Sequence, residues 1–101
     1  MRRRSPTPEP SLLILTSLAS GPKHGYALMT DVASRMGVHL GPGTIYTALA
    51  RLEQEGLIEA VASSERRQPY RLTPAGRIHV RARLTQLRDL VWAGLPHLEE
   101  A

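Results

Sequence analysis

The stretch Gly41–Ile58, GPGTIYTALARLEQEGLI, decides the fold. Within it Ile45, Leu49 and Leu52 recur at i, i+4 and i+7, the spacing of one helical face. Pro42 between two glycines suits a first helical turn, and Gly56 followed by Leu57 suits a glycine cap with a hydrophobic contact behind it. At about 100° per residue, Thr47, Arg51 and Gln54 fall away from the apolar stripe, with Thr44 near its flank. The segment is therefore predicted to be a helix with an apolar back and an outward row of hydroxyl, guanidinium and amide groups.

Upstream, Leu12, Leu15 and Ala19, with Ile14 and Leu18 beside them, predict a first helix that Gly21-Pro22 stops. Tyr26, Met29, Val32, Ala33 and Met36 predict a second, closed by Gly37, and only Val38-His39-Leu40 precede Gly41. Downstream the pattern changes. Leu57, Ile58 and Val61, then Tyr70 and Leu72, are strand-like, and the polar segment between Ala62 and Pro69 is turn-prone, which predicts a β-hairpin with a basic tip. Thr73-Pro74 opens a last helix expected to run to about Leu95, before Pro96. Its Val80, Leu84, Leu87 and Val91 follow a four-three-four rhythm that suits a partner helix.

The order helix, helix, helix, hairpin, helix is an α+β arrangement, mostly α. Two helices joined by a short glycine-bearing turn, the second with an exposed polar face, form a helix-turn-helix, and the hairpin is its wing. Residues 1–9 read as a basic disordered arm, 10–73 as a winged helix-turn-helix domain, and 74–101 as a C-terminal dimerisation helix and tail.

Composition narrows the function. The 101 residues, 42% hydrophobic and 22% charged, suit one small folded domain, and oligomerisation would help a core of that size. With no cysteine, disulfides, thiolate metal sites and thiol nucleophiles are excluded, and a reducing cytoplasm fits. No apolar run is long enough to span a membrane. Arg2, Arg3 and Arg4 ahead of the apolar Leu12–Leu18 have a secretory flavour, but Pro6, Pro8, Glu9 and Pro10 separate the two and Thr16 and Ser17 interrupt the run. The net charge is +4, and from Arg66 to Arg88 there are seven arginines and no acidic residue, a balance that favours polyanionic partners.

Thr44, Thr47, Arg51 and Gln54 are therefore candidates to read base edges or hold phosphates of double-stranded DNA. Arg66 and Arg67 at the wing tip would reach phosphates or an adjacent minor groove, the alternative being plain solvated turn residues. Lys23 and His24 stand where the positive end of helix two would help bind a phosphate. Arg77, Arg81, Arg83 and Arg88 are most simply the wet face of the last helix. Trp92 either packs in a dimer or lines a site for a planar ligand.

His24, His39, His79 and His97 lack metal-ligand spacing. There is no G-x-S-x-G, phosphate-loop or H-E-x-x-H motif, and Glu53 and Glu55 lie two apart on a helix, pointing in different directions. No cofactor, metal or catalytic residue is expected.

His24-Gly25-Tyr26 with Leu28, Gly43-Thr44-Ile45-Tyr46, Leu49, Arg51-Leu52-Glu53, Glu55-Gly56-Leu57-Ile58 and Tyr70-Arg71-Leu72-Thr73 with Gly76 together resemble the PadR family of bacterial transcriptional regulators. The resemblance covers roughly residues 12–77. It implies a winged helix-turn-helix, a C-terminal dimerisation helix and repression relieved by a small effector. It adds Tyr26 and Tyr46 to the candidate DNA contacts, although Tyr46 on the shoulder of its helix could equally close the core with its hydroxyl at the surface. The chain departs from the family at Thr47, where proline is common, and at Pro69, where an aromatic is common. The expectation is a homodimeric repressor on a palindromic operator. The alternatives are a winged-helix protein-interaction module and a ligand sensor without specific DNA binding.

Overall fold

Residues 9–99 are described in the computed structural model of the chain. Apart from Glu9, the basic-arm reading of residues 1–9 falls outside them. The first helix, α1 (Pro10–Leu18), has proline at its start and buries Leu12, Leu13, Ile14, Leu15, Ser17 and Leu18. It is apolar nearly all round, as a helix enclosed by its neighbours must be. The strand β1 (Lys23–His24) follows, then α2 (Gly25–Met36), whose N-terminus is capped by His24: its Nδ1 accepts the Ala27 N–H at 3.2 Å. Gly37, at φ 70°, ends α2 in the left-handed conformation.

Next comes α3 (Pro42–Gln54). Its C-terminus closes as the sequence predicts, with Gly56 at φ 77°, the Gly56 N–H on the Glu53 carbonyl and the Leu57 N–H on the Leu52 carbonyl, both at 3.0 Å. The hairpin strands are β2 (Ile58–Ala60) and β3 (Pro69–Leu72). The sheet has the order β1-β3-β2, all antiparallel, with Lys23 opposite Tyr70 and Glu59 opposite Arg71.

Thr73 then caps the last helix, α4 (Pro74–Glu99): its Oγ1 accepts the Gly76 N–H at 2.9 Å and donates to the Gly56 carbonyl at 2.6 Å. One hydroxyl thus ties the end of α3 to the start of α4. α4 does not stop at Leu95 but continues through Pro96 to Glu99. Proline there removes one N–H from an exposed turn, where water can serve the orphaned carbonyl, so the break expected from sequence does not occur.

The core gathers Ile14, Leu15 and Leu18 of α1, Leu28 of α2, Ile45, Leu49 and Leu52 of α3, Ile58 and Leu72 of the hairpin and Val80 of α4. Val80 is 3% exposed. It is spent inside the protomer and is not available to the dimer seam in which the sequence reading placed it. The expected interface therefore begins at Leu84.

Candidate nucleic-acid interface

The apolar back of α3 is seated on the core through Ile45, Ala48, Leu49 and Leu52, so helix geometry turns the other side out. Thr44, Thr47, Arg51 and Gln54 are all exposed. Arg51 stands at the edge of that row, lining a cleft of about 200 Å³ together with Glu9, Glu55, His79 and Arg83 where α1, α3 and α4 meet. Thr47 and Gln54 do not line that cleft.

Tyr46 packs against the start of α2. Its ring lies over Gly25 so closely that a Cβ built on that glycine would sit 2.6 Å from the tyrosine oxygen, yet 54% of the residue is exposed. The hydroxyl end of the ring thus packs α3 against the start of α2, while the residue as a whole stays half exposed. Tyr70, on β3, is partly buried, and burial, followed by the Glu53 carboxylate and Tyr46, pushes its phenol above the usual range.

The wing is closed at its base by the Val61 N–H on the Pro69 carbonyl at 3.0 Å, and by the Gln68 amide, which donates to the carbonyls of Val61 at 2.9 Å and Pro69 at 2.8 Å. At the tip the Ser63 hydroxyl accepts the Glu65 N–H at 3.0 Å. Residues 62–68 are all exposed. Arg67 reaches back over α2, its guanidinium carbon 5.1 Å from the centroid of the Tyr26 ring, and Tyr26 is itself 58% exposed. Arg71 is engaged elsewhere, donating to Glu59 at 2.8 Å across the strands.

Lys23 is not placed as a phosphate contact. Its ammonium donates to the Ser17 carbonyl at 2.6 Å, to the Ser20 hydroxyl at 2.8 Å and to the Gly21 carbonyl at 3.4 Å, so it caps the C-terminal end of α1. Burial holds its pKa below the usual lysine range. Below it Ser17, the one buried polar side chain among the described residues, donates to Asp31 Oδ2 at 2.5 Å, and Arg35 grips the same carboxylate through Nε and Nη2 at 2.7 and 2.9 Å. The hydrogen bonds from Arg35 and then Ser17 pull the Asp31 pKa down to about 2. His24, the other residue expected to bind phosphate, turns its ring to the α2 N-terminus as its cap. Sequence reasoning missed these assignments because β1, two residues long, has no periodicity and is a strand only through its pairing with β3. The Tyr26–Arg67 stack joins residues distant in sequence and left no signal.

Beyond the core, α4 carries Leu84 and Leu87, 37% and 36% exposed, and the still more exposed Leu90, Val91, Trp92, Leu95 and Leu98. Among the described residues no group of three or more His, Cys, Asp or Glu could hold a metal ion, and no helix is long and apolar enough to cross a membrane.

Comparison with known proteins matches residues 14–82 to the model of the Transcriptional regulator PadR-like family. The chain is 39% identical over 92 residues to the transcriptional regulator Rv3488 of Mycobacterium tuberculosis, covering 85% of each protein. It is 45% identical over 71 residues to an uncharacterized 37.1 kDa protein in transposon TN4556 of Streptomyces fradiae, covering 70% of this chain. It spans only 21% of that longer relative. Among solved structures, a PadR family transcription regulator of Clostridium difficile superposes with a TM-score of 0.77 at 28% identity, over 87% of this chain and 96% of the other. Bacillus subtilis PadR, solved in complex with operator DNA, shares the fold with a TM-score of 0.65 at 24% identity, over 73% of this chain and 45% of its own.

Proposed function

Because the chain belongs to the PadR-like family of transcriptional regulators, which are DNA-binding proteins and not enzymes, we propose that it acts as a cytoplasmic homodimeric repressor of a palindromic operator. The observation that carries this reading is the exposed face of α3 beside a basic wing, both fixed to one core. In this reading α3 enters the major groove, with Thr47 and Gln54 at base edges and Thr44 and Arg51 at the groove wall. Arg66 and Arg67 meet the phosphates that flank it, and the Tyr26 and Tyr46 hydroxyls lie on the same side.

The dimer forms through α4, by Leu84, Leu87 and Val91 against the same residues of a two-fold mate. Charge along α4 supports an antiparallel pairing: Arg77, Arg81 and Arg83 lie in its first half, Arg88 just past its middle, and Glu99 stands at its end. Two copies so joined would set their α3 helices about 34–36 Å apart, one turn of B-DNA. Trp92, 71% exposed, would lie at this seam, where a flat apolar surface suits a planar effector as well as dimer packing.

Fluorescence anisotropy with the duplex upstream of the protein's own gene and a scrambled duplex, at two salt concentrations, tests the proposal. Preferential, salt-sensitive binding that weakens in Arg66→Ala is expected. Equal weak binding to both duplexes would overturn it in favour of a winged helix that docks on a protein partner.

A further inference from the structure

Resting on the DNA-binding reading, we infer that Tyr26 is a positioning residue: its ring aims the Arg67 guanidinium, as a two-pronged phosphate fork, from the wing tip across the start of α2. The guanidinium carbon stands 5.1 Å from the ring centroid, inside the ~6 Å reach of a cation–π contact. A guanidinium that lies flat over a ring spends its face on the ring and keeps its N–H donors in the plane, free for a phosphate.

Among the described residues no hydrogen bond or ion pair engages Arg67, whereas Arg35 is held by Asp31, Arg71 by Glu59 and Arg88 by Asp89. The stack also supplies what the wing lacks. Gln68 and Ser63 order the backbone of the hairpin end, but residues 62–68 are all exposed, and among the described residues no other contact fixes where the long Arg67 side chain points. An arginine free to explore its rotamers loses that freedom when it grips a phosphate, and one already laid on a ring loses less. Tyr26 is well placed for this because it stands in the first turn of α2, two residues after His24, which pairs with Pro69 at the base of the wing.

Tyr26 and Arg67 thus act as a pair, with different signatures. Arg67→Ala removes a phosphate contact, so the slope of log affinity against log salt becomes shallower by about 0.9 per protomer. Tyr26→Leu leaves the contact but loosens it, weakening binding about two- to fivefold with little change in slope. Tyr26→Phe keeps the ring, so it retains the Arg67 ring shift and weakens binding less than Tyr26→Leu does. In the Arg67→Ala background Tyr26→Leu has no further effect.

The experiment is this double-mutant cycle on the full chain by fluorescence anisotropy, with NMR of the free protein as a second measurement. The Arg67 side-chain signals should be shifted upfield by the ring in wild type and Tyr26→Phe, and released in Tyr26→Leu. An unchanged salt slope in Arg67→Ala would overturn the fork, leaving a latch for the wing. A loss in Tyr26→Phe as large as in Tyr26→Leu would assign the contact to the hydroxyl instead. Additive effects, or an unshifted Arg67 in wild type, would show that the pair does not act as a unit. A wild type that binds no duplex would overturn the regulator reading and the fork with it, even where the ring shift persists.

Discussion

At the scale of single residues, the junction of α3, the wing and α4 turns on Gly76. A Cβ there would fall 1.8 Å from the carbonyl oxygen of Leu57, a backbone atom held by the Thr73 N–H at 3.1 Å. Gly76→Ala is therefore expected to cost about 2 kcal/mol or more in urea unfolding, in the range of overpacked cores. An unchanged midpoint would mean that α4 pivots freely at this point. Asp31 gives a second test, through pH. Its carboxyl falls from an ordinary 3.8 to about 2, chiefly through Arg35 and then Ser17. The folded state thus holds this site ionised where the unfolded chain would take up a proton. The resulting stability is complete above about pH 4 and is lost as the pH falls through about 2. Asp31→Asn should lower the neutral-pH midpoint and flatten that acid limb, and a variant with an unaltered limb would place the acid sensitivity elsewhere.

At the scale of elements, α4 has two parts with different roles. Its first turns are core, through Gly76 and Val80, whereas Leu84, Leu87 and Val91 remain open to solvent. Leu84→Asp with Leu87→Asp should yield a folded monomer by light scattering and circular dichroism, with weakened DNA binding. Val80→Asp should instead unfold the protomer, since a carboxylate would enter a site only 3% exposed. A dimer that survives the double change would exclude this seam. For α3, Thr47→Ala with Gln54→Ala should narrow the preference for operator over scrambled duplex. Each good base contact is worth about 1–3 kcal/mol of discrimination, and the salt slope should hold because no phosphate contact is lost. A shallower slope would move these two residues to the backbone.

At the scale of the whole molecule, the shape points to a second copy. The radius of gyration is 15.4 Å and the extents are 55 × 33 × 21 Å, larger than the roughly 13 Å expected of a compact chain of about 100 residues. The excess is α4, whose 26 residues reach past the core and expose Leu90, Val91, Trp92, Leu95 and Leu98. A lone soluble domain rarely leaves such a stripe uncovered. In the proposed dimer two α3 helices are locked to one two-fold axis, so binding would depend on their phasing. About 5 base pairs inserted between half-sites, half a helical turn, should abolish high-affinity binding, and about 10 should restore much of it. Indifference to the insertion, read by anisotropy, would mean that each protomer binds alone.

The helices, the wing and the stops and starts at Gly37, Gly56 and Thr73 were legible in the sequence because each is a local matter. Ile45, Leu49 and Leu52 need only helical spacing to declare a buried face, and Gly56 and Thr73 need only their neighbours to stop and start helices. The row Thr44, Thr47, Arg51 and Gln54 followed from the same periodicity. Periodicity says which residues share a face, but not what the face meets. Only the tertiary structure decided that Val80 is core and not interface, that Lys23 closes α1 instead of waiting for a phosphate, and that α4 runs on through Pro96. It also brought Arg67 of the wing onto Tyr26 of α2, and the Tyr46 ring onto Gly25. These contacts join segments far apart in the chain, and their partners are chosen by how the helices and the sheet pack.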